Sequence, residues 1–414
     1  MSPPGRHGPR RGLSEPLGEY RSAQHEGKPV RQPDETAART LRVLVVEDSL
    51  TVRRRLCEVL AAEAGIEVVG EAEDGKRAIE LCQALRPDVV TMDMMLPLMT
   101  GLAATEFIMA HCPTPILVVS SSTNRGELFK TYDALAAGAV DVLEKPDGQE
   151  PEGRWEQHFI ATLRLVARIR VITHLRARLD LTPKGIGAQP RTGWPPQPRT
   201  PDPLVAFDPR PTGRRPCSLI AIGASTGGPG ALVEVLRGLS AQVQAAVLLV
   251  LHINEPFGSA FADWLDAQTP RRAAYARDGE PVAALAGRIA IAPPNRHLVL
   301  QQGRLRLTQD PERHSCRPSV DTLFESVARD AGGQAAGCLL TGMGRDGAAG
   351  LLALRQAGAV TIAQDEATSV VYGMPREAAL LGAAMHILPL GEIGPALSAL
   401  ASAQGEASAR TRRW

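Results

Sequence analysis

Short apolar runs alternate with helix-like stretches in two separate series along this chain. The first series begins at residue 41 and contains the runs RVLVVED, IEVVGEA, PDVVTMD, TPILVVSS and VDVLEK. The second extends from 217 to 389 and includes SLIAIGAS, AAVLLVLH, RIAIAPP, AAGCLLTG, AVTIAQD and MHILPL, with a hairpin expected at HLVLQQ and RLRLTQ. Strands that alternate with helices of this length indicate parallel sheets covered on both faces. The predicted fold class is therefore α/β, with two doubly wound parallel-sheet domains.

The stretches around and between the two series do not have the pattern of a packed core. Residues 1–40 are rich in Pro, Arg, Gly and Glu without hydrophobic periodicity, as is typical of a disordered tail. Residues 154–180 have apolar positions at helical spacing, which predicts a connecting helix, and a Pro-rich linker follows over 183–216. We expect five segments: a tail over 1–40, a first domain over 41–150, the helix and linker over 151–216, a second domain over 217–404 and a tail over 405–414.

The composition argues against several functional classes. The net charge is +1, and no basic tract of the kind found in dedicated nucleic-acid binders occurs. The six cysteines form no CxxC pair and have no histidine at metal-binding spacing, which fits free thiols in a reducing compartment. No apolar stretch approaches the roughly 20 residues that cross a bilayer. We therefore expect a cytoplasmic protein that is not membrane-inserted and does not bind nucleic acid.

Five polar residues follow the strands of the first series. They are Glu47 and Asp48 after the first run, Asp93 after the third, Ser120 after the fourth and Lys145 after the fifth. Ligands of open parallel sheets bind outside the carboxyl ends of the strands. Three carboxylates at one edge repel one another unless a divalent cation neutralises them, and oxygen ligands suit Mg²⁺. One carboxylate can then attack a phosphoryl group, with Lys145 and the Ser120 hydroxyl holding its oxygens. Any one of these residues alone is more simply a polar strand cap.

The motifs of this first domain are VVED at 45–48, MD at 92–93 followed by Pro97 and Gly101, VSSS at 119–122 and EKP at 144–146. With them, residues 41–150 resemble the receiver domain of two-component response regulators. The resemblance implies a flavodoxin-like fold, phosphorylation of Asp93, and Mg²⁺ bound by Glu47, Asp48 and Asp93. Val142 stands where many receivers carry an aromatic switch residue, so the route by which phosphorylation is transmitted stays open.

The loop GASTGG at 223–228 allows three interpretations. A Walker phosphate loop requires a Gly-Lys-Ser/Thr ending, and a dinucleotide fingerprint requires glycine at position 225; the sequence has neither. The pattern G-x-S-x-G does fit, with Ser225 between a strand and a helix. Small neighbours leave such a hydroxyl exposed beside helix N-terminal amides, which can stabilise an oxyanion. Taken alone, the motif is explained more simply as a Gly-rich turn with an incidental serine.

A serine nucleophile requires a base and a residue that orients the base. His252 ends the strand AAVLLVLH, whereas the other histidines considered lie in less suitable positions: His297, His314 and His386. Asp346 follows the apolar run of CLLTGMGRDG, although an aspartate there can be a simple helix N-cap. All three residues follow strands of one sheet, which predicts that they meet. Their order, Ser-His-Asp, differs from the Ser-Asp-His order of α/β-hydrolases.

That order occurs among longer motifs: IGASTGGPGAL at 222–232, PFGSAFADWL at 256–265, IAPPNRHL at 291–298, RPSVDTLF at 317–324, LLTGMGRDGAAGL at 339–351 and QDEATSVVYGMPREA at 364–378. With these motifs, residues 217–400 resemble the catalytic domain of chemotaxis-type protein-glutamate methylesterases, the CheB family. This family also places a receiver in front of the catalytic domain. A departure occurs at 251–256, where LHINEP replaces the family's usual glutamine before the histidine and Met-Pro after it.

The resemblance implies a Rossmann-like domain with Ser225, His252 and Asp346 as catalytic residues and no catalytic cofactor. Thr226, Gly227 and Met343 would line the substrate and oxyanion region. The implied substrates are methylated glutamates, and specific glutamines, of methyl-accepting chemotaxis receptors. The implied phosphodonor is a chemotaxis histidine kinase, and the unphosphorylated receiver would cover the active site. Two alternatives stay open: a binding module or phosphate sink with an inactive site, and a serine hydrolase with a target outside motility.

Overall fold

Two parallel sheets organise the part of the chain that the structure describes. The computed structural model describes residues 40–121, 124–146, 153–169, 171, 217–253 and 255–402. The predicted tail over 1–40, except for its last residue, the predicted tail over 405–414 and the Pro-rich linker over 183–216 lie outside these ranges. The domain boundaries therefore stay predictions. Over the described ranges, no helix has the length and apolar character needed to cross a membrane.

The first sheet has five parallel strands in the order β2-β1-β3-β4-β5. Its strands are β1 (Leu41–Val46), β2 (Ile66–Ala72), β3 (Val89–Met92), β4 (Ile116–Ser120) and β5 (Asp141–Glu144). The helices between them are α1 (Leu50–Ala61), α2 (Gly75–Leu85), α3 (Gly101–His111) and α4 (Arg125–Ala136). The strand order is the flavodoxin-like one, which reverses direction between β1 and β3 and leaves a ligand crevice at their carboxyl ends. This confirms the predicted fold of the first series.

The helices of this sheet begin where the sequence supplies a capping side chain. Ser49, Asp74, Thr100 and Asn124 each accept a hydrogen bond from a backbone N–H in the first turn of α1 to α4, respectively. Such a bond satisfies one of the amides that lack an intrahelical partner. The site residues that precede α1 are thereby held at a defined strand–helix junction.

Helix α5 (Arg154–Val166) packs against the first sheet. Trp155, Phe159 and Leu163 are buried in one cluster with residues of β1 and α1, and Trp155 Nε1 donates a 2.7 Å hydrogen bond to the Glu144 carbonyl. The sequence predicted a single connecting helix over 154–180. The structure ends the helix at Val166, followed by a turn over 167–169, and residues 172–180 lie outside the described ranges. Its apolar face therefore covers the first sheet.

The second sheet has seven parallel strands in the order β14-β13-β12-β6-β7-β9-β8. They are β6 (Leu219–Ala224), β7 (Ala246–Leu251), β8 (Ala273–Tyr275), β9 (Ile289–Ile291), β12 (Ala335–Leu339), β13 (Val360–Gln364) and β14 (His386–Leu388). The predicted hairpin forms from β10 (His297–Gln301) and β11 (Arg304–Thr308). The surrounding helices are α6 (Gly228–Gly238), α7 (Phe261–Gln268), α8 (Val320–Asp330), α9 (Ala348–Gln356), α10 (Met374–Leu380) and α11 (Leu390–Ser402). The predicted second doubly wound sheet is confirmed.

Helix α4 of the first sheet packs against α6 and α7 of the second. Tyr132 on α4 is fully buried, with its ring 5.6 Å from that of Phe261 and 5.4 Å from that of Trp264. The Tyr132 hydroxyl donates to the Phe257 carbonyl, and Trp264 Nε1 donates to Asp133 Oδ1 at 2.8 Å. The contact between the two sheets therefore combines a buried aromatic cluster with directional hydrogen bonds.

Candidate active site

The loops after β6, β7 and β12 bring the predicted triad residues to one edge of the second sheet. In the register of the sheet, Ala224 pairs with Leu251, so Ser225 and His252 each follow paired residues. The His252 amide donates to the Ala224 carbonyl at 3.1 Å, and the Ser225 amide donates to the Thr341 carbonyl at 3.0 Å. Because β6 lies between β12 and β7, the three loops are neighbours.

The loop around Ser225 is a tight turn, and the Ser225 side chain is half-buried. The Gly228 amide donates to the Ser225 carbonyl at 2.7 Å, which closes the turn. Gly227 has φ +75°, and a Cβ added there would lie 2.5 Å from Val370 Cβ, so only glycine fits. Within the described residues, the backbone amides of Thr226 and Gly227 donate no hydrogen bond. Such free amides at the start of α6 are suited to hold an oxyanion.

His252 and Asp346 are in direct contact. His252 Nε2 and Asp346 Oδ2 are 2.8 Å apart, and the exposed fractions of the two side chains are 14% and 2%. Asp346 does not cap its own helix, because Gly347 is the N-cap of α9. Its carboxylate instead accepts hydrogen bonds from the amides of Val320 (2.7 Å) and Asp321 (3.1 Å) at the N-terminus of α8. The alternative of a simple N-cap for the helix that follows Asp346 therefore does not describe this contact.

The surroundings of Asp346 favour its ionised form. Burial alone would raise the pKa of this carboxyl, but the hydrogen bond and charge of His252, with the two α8 amides, hold the pKa below its usual range. Ser319, the N-cap of α8, donates its hydroxyl to Asp346 Oδ1 at 2.8 Å. An anion at a helix N-terminus is further favoured by the helix dipole. A fixed carboxylate of this kind can orient an imidazole and stabilise its cation.

The second ring nitrogen of His252 faces a cysteine. Nδ1 lies 3.7 Å from Cys316 Sγ, and nowhere in the described ranges does a hydrogen bond join the Ser225 hydroxyl to His252. Burial opposes protonation of the imidazole, but the contacts with Asp346 and Cys316 outweigh it and raise the pKa of His252 to about 9. Nε2 is directed at Asp346, so Nδ1 is the ring nitrogen that does not contact the carboxylate. Catalytic contacts are often long before substrate binds.

The remaining residues of the predicted site lie close by. Met343 is half-buried and follows Gly342, where an added Cβ would be only 2.8 Å from Ser225 Cβ. The Thr341 hydroxyl donates to the Thr226 carbonyl at 3.0 Å, which ties the β12 loop to the serine loop. Thr226 and Gly227 thus follow Ser225 in its loop, and Met343 follows the residue that adjoins Ser225.

The other candidate histidines have structural contacts. His297 Nδ1 accepts from the Ser319 amide at 3.1 Å while Nε2 lies 3.2 Å from the Pro311 carbonyl. His314 Nε2 lies 3.1 Å from Asp321 Oδ2, and His386 begins the edge strand β14. Sequence reasoning missed Ser319 and Cys316 as neighbours of the pair. Ser319 lies within the motif RPSVDTLF, which could have indicated its role, whereas Cys316 lies outside every motif.

The first sheet gathers the predicted phosphorylation residues at its crevice. Lys145 Nζ lies 2.8 Å from Glu47 Oε2 and 3.1 Å from Asp93 Oδ1, and the Met94 amide donates to Asp93 Oδ1 at 2.8 Å. Burial, together with the charge of Asp93, raises the pKa of Glu47. The pKa of Lys145 is also raised, because its contacts with the two carboxylates outweigh its burial. Ser120, at the end of β4, is buried, and its hydroxyl donates to the Ser121 carbonyl at 3.4 Å.

The carboxylates of this crevice fit a hard divalent cation. Ligand oxygens of Glu47, Asp48 and Asp93 lie within 4.8 Å of one another. Glu47 Oε2 is buried and, within the described residues, accepts no hydrogen bond, although the Lys145 ammonium is its charge partner. Asp48 is exposed, which leaves room for the water ligands that Mg²⁺ retains.

Comparison with known proteins identifies the family of the chain that carries these two sites. The protein-family model for the CheB methylesterase matches residues 220–397. The protein-family model for the response regulator receiver domain matches residues 43–151. A protein-glutamate methylesterase/protein-glutamine glutaminase of Anaeromyxobacter dehalogenans is 42% identical over 87% of this chain and 97% of its own length. One from Cupriavidus metallidurans is 41% identical over 86% and 97%. The crystal structure of the Thermotoga maritima CheB methylesterase catalytic domain matches with 32% sequence identity and a TM-score of 0.42. The match covers 44% of this chain and 97% of the Thermotoga chain. The chain belongs to the family of receiver-containing CheB protein-glutamate methylesterases/protein-glutamine glutaminases.

Proposed function

We propose that this protein is a phosphorylation-activated hydrolase that removes methyl groups from glutamate γ-methyl esters of methyl-accepting chemotaxis receptors. The same site would deamidate specific receptor glutamines. The observation that carries the proposal is the convergence of Ser225, His252 and Asp346 at one sheet edge, with His252 and Asp346 2.8 Å apart. The family membership supports the choice of substrate. The protein would act in the cytoplasm, with a chemotaxis histidine kinase as phosphodonor.

The proposed reaction is acyl transfer through Ser225. His252 Nδ1 takes the hydroxyl proton as the serine oxygen attacks the γ-carbonyl of the methylated glutamate. The amides of Thr226 and Gly227 receive the oxyanion, and Asp346 holds the imidazolium that forms. Methanol leaves with the proton from His252, and water then hydrolyses the acyl-enzyme to glutamate and free serine. A glutamine amide passes through a similar tetrahedral intermediate and releases ammonia.

Regulation would act through α4. Phosphorylation is proposed at Asp93, with Lys145 and Ser120 holding the phosphoryl oxygens. Glu47, Asp48 and Asp93 would bind Mg²⁺, which supplies positive charge for the transfer of the phosphoryl group. Val142 on β5 packs against the core of the first sheet and against the cluster that contains Tyr132. This aliphatic residue, rather than an aromatic one, would connect the phosphorylation site to the interdomain contact.

The contact between α4 and the second sheet supports occlusion of the active site. A cavity of about 680 Å³ lies between α3, α4 and the loop of Gly227, and Asp133 and Val370 are among the residues that line it. The Phe257 carbonyl that accepts from Tyr132 belongs to the loop after β7, just beyond the unusual segment 251–256. Separation of α4 from this loop would open the approach to Ser225. Phosphorylation can shift this equilibrium only by its differential stabilisation of the two arrangements.

Release of methanol from methylated receptor membranes tests the proposed chemistry. Ser225→Ala should abolish the release, because the acyl-enzyme cannot form, while leaving phosphorylation by acetyl phosphate intact. Full activity in this variant would remove Ser225 from its role. Asp93→Asn should keep basal hydrolysis and lose stimulation by acetyl phosphate. Normal stimulation of the Asp93 variant would refute the regulatory assignment without affecting the chemistry.

A further inference from the structure

We propose that Cys316 and His252 form a binding site for Zn²⁺, and that occupancy of this site inhibits the hydrolase. The site itself stands on the geometry of two side chains. Its inhibitory effect rests on the proposed function, because it requires His252 to act as the base. The cysteine spacing predicted free thiols and no zinc site, and the two residues are far apart in the sequence.

The distance between the two ligand atoms matches a bridging zinc ion. Typical Zn–S and Zn–N bonds at a tetrahedral angle separate sulfur and nitrogen by about 3.6 Å. Cys316 Sγ and His252 Nδ1 are 3.7 Å apart. This separation also suits a hydrogen bond between the thiol and the imidazole, and Sγ lies 3.4 Å from the His314 carbonyl oxygen as a second partner. On metal binding, the thiol proton and the proton that Nδ1 carries in the imidazolium would pass to solvent, and the thiolate and the neutral imidazole would ligate.

The contact between His252 and Asp346 is typical of a zinc-binding imidazole. Zinc-bound histidines almost always donate their other ring N–H to a carboxylate or carbonyl, which fixes the tautomer. Here Nε2 is 2.8 Å from Asp346 Oδ2, so Nδ1 is the ring nitrogen that faces Cys316. Both oxygens of Asp346 are already engaged by Ser319, Val320 and Asp321. Asp346 would therefore orient the imidazole, and water would fill the remaining zinc positions.

The backbone holds the Cys316 thiol in place. Arg313 and Cys316 form an isolated antiparallel bridge across a two-residue turn, and both central residues, His314 (φ 53°) and Ser315 (φ 59°), are left-handed. Two non-glycine residues in this conformation cost energy, and such strain is concentrated at functional sites. The contact of His314 Nε2 with Asp321 anchors the turn to α8. The thiol thus needs little rearrangement to bind a metal.

Zinc bound to Nδ1 would block catalysis by occupying the lone pair that must accept the Ser225 proton. Of the six cysteines, only Cys316 and Cys57 are half-buried rather than buried. Cys57 lies on α1 of the first sheet, far along the chain from this site. Cys57→Ser is therefore a matched control for Cys316→Ser.

Metal binding can be measured without catalysis, in the full chain carrying Ser225→Ala. Added Co²⁺ should give a saturable thiolate-to-cobalt charge-transfer absorption that Zn²⁺ abolishes. The absorption should be lost when Cys316→Ser is added and retained when Cys57→Ser is added. No absorption, or an absorption that survives Cys316→Ser, would overturn the site.

Inhibition is measured on methanol release by the otherwise unaltered chain, each variant being normalised to its own rate in EDTA. Zn²⁺ should inhibit reversibly, and Cys316→Ser should raise the half-inhibiting concentration at least about tenfold, because loss of an outer partner alone costs that much. Cys57→Ser should match the unaltered chain. Equal sensitivity of both variants would overturn inhibition through this site. A Cys316-dependent cobalt absorption with no inhibition at saturating Zn²⁺ would overturn the inhibitory effect proposed for this site.

Discussion

Removal of the Asp133 carboxylate on α4 should raise hydrolysis by the unphosphorylated protein. Asp133 Oδ1 accepts from Trp264 Nε1 at 2.8 Å and from Gln268 Nε2 at 3.4 Å, and both donors are on α7 of the second sheet. Trp264 is 1% exposed, so Asp133→Ala leaves a buried indole N–H without its acceptor in the closed arrangement. A hydrogen bond to a charged group contributes about 1.5–3 kcal/mol. The closed arrangement should therefore lose roughly 10- to 150-fold in its equilibrium with the open one.

The assay is methanol release from methylated receptor membranes with and without acetyl phosphate. Asp133→Ala should raise the unstimulated rate and shrink the stimulation ratio, with the phosphorylated rate as the ceiling. Lys130→Ala is the matched control, because Lys130 lies on the same helix but contacts Met95 of the first sheet, with Nζ 3.3 Å from Sδ. An unstimulated rate that equals the rate of this control would refute the interpretation of α4 as an inhibitory contact.

Two further predictions concern the Ser225 loop and the proposed base, His252. In buffer with EDTA, kcat/KM should rise with pH toward about 9, because the base must be neutral and the contacts of His252 raise its pKa to about 9; a profile already level at neutral pH would contradict this. Gly227→Ala should lower both activity and the free energy of unfolding. Gly227 has a left-handed φ of +75°, and the added Cβ would also clash with Val370. Gly303→Ala, with φ +70° and no atom within 4 Å of the added Cβ, should lose only about 1–2 kcal/mol in chemical denaturation and keep its activity; equal losses would exclude the clash as the cause.

The fold class was readable because strand and helix patterns are local. Apolar runs such as LIAIGA in β6 are buried along their whole length, as strands of a sheet covered on both faces must be. Strand β8 was missed because its residues AAY lie between arginines and form no apolar run, unlike the equally short β9 and β14. Helix α5 was correctly predicted to be a helix, but its covering of the first sheet depended on how Trp155 and Phe159 pack against distant strands.

The sequence by itself determined the two parallel sheets and the edge at which the candidate residues emerge, because a side chain that follows a parallel strand must lie at its carboxyl end. Only the tertiary structure decided what those residues touch. The packing of separate loops and helices brings Asp346 to the N-terminus of α8, Cys316 to His252 and Tyr132 to Phe261. Such contacts depend on the relative positions of segments far apart in the chain, and no local pattern encodes those positions.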